Sequence, residues 1–147
     1  MTDEDETQSL SIFEGPEDER AKRLVQERAK VGDGWRKLIN ELDDQLSLLL
    51  GDYDVLQIKE QYGGLRFYIL LTHRHADLNR IQALRAIADT ERESLSTCEG
   101  CGEDGYTDYH AGWYKTLCEK HHEELDEVMA SAARDAARQW LGVPEVQ

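Results

Sequence analysis

The chain has few of the residues that crosslink or stiffen small proteins, with only two prolines and three cysteines among 147 residues. An odd number of cysteines argues against a closed disulfide framework, so metal binding is the better explanation for them. Apolar runs such as residues 48–50 are far too short to span a bilayer. The acidic start is the opposite of a signal peptide. We therefore expect no membrane association and a cytoplasmic location.

Basic residues are scarce as well, with 17 Lys and Arg against 31 Asp and Glu and a formal net charge of −14. Binding to a nucleic-acid backbone requires clustered Lys and Arg side chains. The acidic balance therefore disfavours such binding and favours a protein partner with a basic surface. The charge is unevenly spread. Residues 1–19 hold eight acids and no base, whereas residues 20–40 hold seven bases and two acids. A nucleic-acid-binding regulator that uses the basic 20–37 helix therefore stays open as an alternative.

The first half of the chain predicts an acidic disordered tail followed by helices. Residues 1–15 are polar and acidic, and we expect them to be disordered. Residues 16–147 are expected to form a single α+β domain. A first helix begins at Pro16 and runs to about Lys30. A second helix is capped by Asp33, ends at Gly51, and has an apolar stripe at helical spacing. The stripe consists of Trp35, Leu38, Ile39, Leu42, Leu46, Leu49 and Leu50.

The second half predicts a β-hairpin and two further helices. Residues 54–60 and 65–72 have strand patterns and flank a turn at residues 62–64. A helix at residues 76–95 is expected to bury Leu78, Ile81, Leu84, Ala88 and Leu95. A last helix at residues 119–141 is expected to pack through Leu125, Met129, Ala132, Ala133, Ala136 and Trp140, within one protomer or across a homodimer. The tryptophans Trp35, Trp113 and Trp140 are expected to be core anchors.

All three cysteines fall into a metal-ligand pattern. Cys98 and Cys101 are separated by two residues, and Cys118 and His121 by two more after a spacer of 16. Three thiolates and one imidazole at this spacing form a complete tetrahedral ligand set, typical of zinc ribbons and treble clefs. A full set of protein ligands leaves no open position for catalysis. The sequence therefore predicts one structural Zn²⁺, with His122 as an alternative fourth ligand.

The order of the elements around these ligands resembles a treble clef. A Cys-x2-Cys knuckle, a short hairpin and a helix that carries the last ligands follow one another at about residues 97–122. The predicted fold class is therefore α+β, with a helical N-terminal part, a β-hairpin, a helix, and a treble-clef-like zinc module that ends in a long helix.

One run of the sequence carries a resemblance. Residues 59–68 read Lys-Glu-Gln-Tyr-Gly-Gly-Leu-Arg-Phe-Tyr, and are followed by serines at 94 and 96, the knuckle, Trp113 and a Thr-Leu-Cys-x2-His end. This pattern resembles that of uncharacterised small bacterial and prophage zinc-ribbon-like proteins over about residues 35–122. The resemblance implies the architecture and a bacterial or phage-infected host cell. It does not indicate an activity. Lys59, Glu60 and Arg66 could form a ligand site within it, although cross-strand charge pairing explains them as well.

Two classes of function remain beside the nucleic-acid-binding alternative. The first is a non-enzymatic, zinc-stapled binding protein, an inhibitor or antidote-type regulator of a bacterial or phage nucleic-acid-handling or defence protein, whose acidic rows could imitate DNA. The second is a metal-dependent nuclease of the HNH type, with Asp108, His110, His121 and His122 as candidate residues. The asparagine expected between the catalytic histidines is missing, which favours the binding protein.

Overall fold

The computed structural model describes residues 16–142, and side chains from Glu19 onwards. The predicted tail at residues 1–15 lies outside the described residues. In chain order the described elements are α1 (Pro16–Arg28), a 3-10 turn (Asp33–Trp35), α2 (Arg36–Leu50), β1 (Asp54–Gln61), β2 (Gly64–Leu70), α3 (Asp77–Ser94), β3 (Tyr106–His110), β4 (Trp113–Leu117) and α4 (Glu119–Leu141). Mixed helices and strands with a long C-terminal helix confirm the predicted α+β class. None of the helices in residues 16–142 combines the length and apolarity that crossing a bilayer requires.

The hydrophobic core lies between α1, α2, α3 and the antiparallel β1–β2 hairpin. The stripe predicted for α2 is buried as expected, except that Leu49 is only partly covered. The helix ends at Gly51, whose φ of 71° is accessible to glycine at no cost. Asp33 does not cap the helix. Its carboxylate accepts a hydrogen bond from Arg36 instead, 3.2 Å away.

Polar side chains from two helices cover both edges of the β1–β2 sheet. On the β1 edge, Glu27 of α1 accepts a hydrogen bond from the backbone N–H of Ile58 at 3.2 Å. On the β2 edge, Glu91 of α3 accepts from the N–H of Phe67 at 2.9 Å, and the Ser94 hydroxyl accepts from that of Leu65 at 2.9 Å. An uncovered edge would leave these N–H groups unpaired, so α1 and α3 turn polar residues towards the sheet.

The edge contacts explain why the face predicted for α3 is wrong. The helix buries Ala83, Ala86, Ile87 and Ser94, and it leaves the residues of the predicted face in solvent. These exposed residues are Leu78, Ile81, Leu84, Ala88 and Leu95. Small alanines let α3 approach α2 and β2 closely, and Glu91 and Ser94 must face the strand. Packing geometry, rather than the largest hydrophobic stripe, therefore decides which face of α3 is buried.

Two of the three tryptophans also contradict their predicted role. Trp35 is fully buried, and its indole N–H donates to the carbonyl of Thr97 at 2.9 Å. Trp113 and Trp140, by contrast, are 67% and 87% exposed. Helix α4 spans the predicted residues, yet His122 is its only buried residue. The α4 face that was expected to pack within one protomer or across a homodimer is largely exposed in the protomer.

Candidate metal centre

The four predicted ligands come together in space. The ligand atoms of Cys98, Cys101, Cys118 and His121 all lie within 4.8 Å of one another. The His121 Nδ1 atom is 3.3 Å from the Cys98 sulfur and 3.2 Å from the Cys118 sulfur, and the sulfurs of Cys101 and Cys118 are 3.9 Å apart. This cluster can hold a metal ion. His122 turns away from it, so His121 is the histidine that faces the cysteines.

The spacing of these atoms fits a tetrahedral zinc ion. Bonds of about 2.3 Å from zinc to sulfur and about 2.0 Å to nitrogen place ligand sulfurs about 3.8 Å apart in a tetrahedron, and sulfur about 3.5 Å from nitrogen. The observed sulfur–sulfur distance of 3.9 Å and sulfur–nitrogen distances of 3.2 and 3.3 Å are close to these values. Thiolates and imidazole are also the donors that zinc prefers.

The knuckle itself favours a thiolate at Cys98, which is fully buried. Burial raises the pKa of this thiol, but backbone N–H groups that point at the sulfur more than offset the effect and lower the pKa to about 6. These N–H groups belong to Gly100, Cys101 and Cys118. A lowered pKa favours the deprotonated form that binds metal.

The elements that carry the four candidate ligands follow the order predicted for a treble clef. Cys98 and Cys101 lie in the knuckle after α3, the β3–β4 hairpin follows, and Cys118 and His121 flank the first turn of α4. At Gly100, a Cβ atom would lie 3.3 Å from the His121 Nδ1 atom, so the absence of a side chain leaves room for the imidazole. The site therefore joins the knuckle to the start of α4.

Glu99, inside the knuckle, was missed by sequence reasoning and attaches the metal module to the helical body. This buried carboxylate accepts a hydrogen bond from the N–H of Gly32 at 3.1 Å and one from the Lys115 ammonium at 2.8 Å. The Glu99 carbonyl also accepts from the N–H of Gly34 at 2.8 Å. A Cβ on Gly34 would overlap the carbonyl of Cys98. Gly32 and Gly34, which follow the first helix, therefore let the backbone dock directly on the knuckle.

His122 has a structural role at the base of α4. Its Nε2–H donates to the carbonyl of Tyr106 at 2.7 Å, and its Nδ1 lies 2.8 Å from Nε2 of His110. The other ring nitrogen of His110 lies 2.6 Å from the Asp126 carboxylate. Both imidazoles are buried and both nitrogens of each are engaged. Asp108 accepts a hydrogen bond from the N–H of Tyr109. The contacts of His110, His122 and Asp126 hold α4 against the β3–β4 hairpin.

Lys59, Glu60 and Arg66, for which the sequence left a ligand site and charge pairing open, have partners within the chain. The Lys59 ammonium lies 5.7 Å from the centre of the Tyr68 ring. Glu60 accepts from the N–H of Gly63 at 2.6 Å within the turn. Arg66 pairs with Glu91 of α3 at 3.3 Å rather than with a residue across the strand. The charges of this run therefore hold the hairpin turn and attach it to α3.

The turn of the first hairpin packs on the second hairpin and brings three tyrosines together. The Thr116 hydroxyl donates to the carbonyl of Gly63 at 2.6 Å. The rings of Tyr62 and Tyr114 are then 6.4 Å apart, and those of Tyr109 and Tyr114 are 5.1 Å apart. All three are exposed, Tyr62 by 70%. We call these three residues the tyrosine surface.

Tyr62 has a backbone conformation that tyrosine rarely adopts. Its φ is 54°, and that of Gly63 is 85°. Positive φ at both central residues of a two-residue hairpin turn is the type I′ geometry, for which Asn-Gly is the preferred pair. A bulky residue in this conformation is strained by about 1 kcal/mol. The fold therefore holds an exposed aromatic ring at some cost in stability.

The basic stretch at residues 20–37 is largely paired within the molecule. Five of its seven bases lie within 4.0 Å of a carboxylate, namely Arg20, Lys22, Arg23, Lys30 and Arg36. Such pairing reduces the positive potential that a phosphate backbone would need.

Comparison with known proteins leaves the chain without a relative that could assign its family. No protein-family model, no curated protein and no solved structure matches it. The resemblance to small bacterial and prophage proteins therefore stays a prediction.

Proposed function

We propose that this chain is a non-enzymatic protein-binding module, in which one structural zinc ion at Cys98, Cys101, Cys118 and His121 holds the binding surface in place. Zinc with three thiolates and one imidazole has all its positions filled by protein and supplies folding energy rather than an open site for substrate. The partner is a protein with a basic surface. The finer role that we propose is that of an inhibitor or antidote-type regulator in a bacterium or a phage-infected cell.

The observation that carries this proposal is the tyrosine surface. Tyrosine is enriched where proteins bind one another, because it buries a large ring and keeps a polar hydroxyl at the rim. A strained residue whose ring is 70% exposed is also typical of a functional position. The rings are held by two hairpins, one of which is attached to the metal cluster. The zinc would thus act by fixing the surface and not by chemistry.

The charge of the chain supports a basic partner. The net charge of −14 attracts a positively charged surface and accelerates its association. Lysine and arginine side chains of such a partner can also stack on tyrosine rings, at about 0.5–1 kcal/mol for each exposed contact. In its most specific form, the proposal is that the acidic rows of the chain imitate DNA.

The test compares capture of protein partners by zinc-loaded wild type and by three variants. Tyr62→Asn and Tyr109→Ala each remove one ring of the tyrosine surface. Tyr68→Ala removes an exposed tyrosine outside it and serves as the matched control. We expect the first two to weaken binding of a basic partner at least tenfold and the control to leave it unchanged, as measured by calorimetry with the purified partner.

Two results would refute the proposal. One is equal affinity of all four proteins for the captured partner. The other is an affinity of the wild type for the partner at about 0.5 M salt that equals its affinity at low salt. At about 0.5 M the Debye length falls well below 8 Å, so long-range attraction to the −14 charge is lost.

A further inference from the structure

Helix α4 extends well beyond the part of the molecule that supports it. Its 23 residues (Glu119–Leu141) span about 34 Å at 1.5 Å per residue. The first turns are attached through His122 and Asp126 to the β3–β4 hairpin. Beyond Met129, which is partly buried, nearly every side chain up to Leu141 is exposed. A helix of this length in solvent is stable mainly when one of its faces is covered.

One face of α4 is mainly apolar from Leu125 to Trp140 and is interrupted by Gln139. At 100° per residue, seven apolar side chains fall within an arc of about 140°. They are Leu125, Val128, Met129, Ala132, Ala133, Ala136 and Trp140. Only Leu125 and Met129 are partly covered by the protomer, whereas Val128 is 64% and Trp140 87% exposed. We call these seven residues the α4 seam. Its alanines lie at the centre, where they permit two helices to approach closely.

We propose that a second copy of this chain covers the α4 seam, with the two helices antiparallel. The charges along α4 favour this orientation. Residues 119–127 carry five acids and one base, whereas residues 128–141 carry two bases and one acid. Antiparallel pairing places the acidic half of each helix beside the weakly basic half of the other. Parallel pairing would place the acidic halves side by side, together with two bodies of high negative charge.

The size of the seam is sufficient for a specific dimer. Trp140 buries about 200 Å² when it is covered. With the other seam residues, each protomer would contribute about 600 Å², so the contact would total about 1,200 Å², at the lower end of the range for stable interfaces. In the antiparallel pair, the alanines meet at the centre, and Trp140 lies towards Leu125 and Met129 of the other copy. The large side chains therefore meet at the two ends of the contact, where the helices do not need to approach as closely as at the alanines.

The dimer is tested by measuring mass in solution. Sedimentation and light scattering of the zinc-loaded chain should give twice the protomer mass of 16.9 kDa at high concentration. Ala132→Glu should give the protomer mass, because it places two carboxylates at the centre of the seam. The control Ser131→Glu puts the same side chain on the polar face one residue earlier, and it should remain dimeric. Both positions are exposed in the protomer, so both variants should fold, which circular dichroism verifies.

The orientation is tested with a spin label on Glu124→Cys in the zinc-loaded protein. Glu124 lies about nine residues from the centre of the seam, so an antiparallel dimer separates the two labels by about 27 Å along the helices. A separation below about 15 Å would refute the antiparallel orientation. A monomeric wild type up to several hundred micromolar would overturn the dimer, as would a dimer that is unaffected by Ala132→Glu. Neither result depends on the tyrosine surface, so the dimer and the proposed function can fail separately.

Discussion

The Glu99 carboxylate, which bonds β4 within the metal module and Gly32 of the helical body, gives a quantitative prediction for stability. The Glu99 carboxylate accepts from the Lys115 ammonium at 2.8 Å and from the N–H of Gly32 at 3.1 Å, and its side chain is 10% exposed. Hydrogen bonds to a charged group contribute about 1.5–3 kcal/mol each. The Lys115 side chain is 29% exposed and can be solvated again, which reduces its share. We therefore expect Glu99→Ala to lower the free energy of unfolding by about 3 kcal/mol.

The assay is thermal unfolding of the zinc-loaded protein, followed by circular dichroism or calorimetry. For a chain of about this size, 3 kcal/mol corresponds to a fall in Tm of about 6–12 °C. Glu99→Gln keeps one acceptor for Gly32 and should lose about half as much. Glu103→Ala removes an exposed carboxylate from the same loop and is the control. Zinc content should stay at one per chain throughout. A Tm for Glu99→Ala equal to that of Glu103→Ala would refute the docking role of Glu99.

Three further predictions concern metal binding, the loss of stability at low pH and the strained turn at Tyr62. His121→Ala should reduce zinc content, as measured by metal analysis, whereas His122→Ala should retain zinc and instead raise amide exchange in the first turns of α4. The pKa of Glu27 is lowered by its hydrogen bond to Lys30, against the effect of burial. The stability it contributes is present above its unfolded pKa of 4.5 and is lost as pH falls below that value, so Glu27→Gln should flatten the decline of Tm on acidification. Tyr62→Asn should leave Tm unchanged or raise it by a few degrees, because Asn accepts positive φ; a clear fall in Tm would show that the ring is needed for folding.

Much of the architecture could be predicted because local rules and tertiary packing agree. The stripe on α2, its end at Gly51 and the Tyr62-Gly63 turn follow from helical periodicity and glycine conformation. The ligand cluster could be predicted as well, because a ligand pattern of three cysteines and one histidine leaves few ways to satisfy a tetrahedral ion.

The errors lie where packing and local pattern disagree. Sequence reasoning assigned α3 its largest apolar face, but covering the β2 edge required Glu91 and Ser94 to turn inwards. It also assigned Trp113 and Trp140 to the core, although size and hydrophobicity do not reveal whether another element is present to cover a side chain.

The sequence by itself determined the candidate metal-ligand set, the α+β class and the acidic charge, because these depend on residue type and on spacing along the chain. The tertiary structure alone decided that Glu99 joins the metal module to the Gly32–Gly34 segment, that Tyr62 meets Tyr109 and Tyr114, and that the α4 seam is exposed. Each of these depends on which distant segments approach one another. Such contacts follow from the shape of the whole packed molecule, which no local pattern encodes.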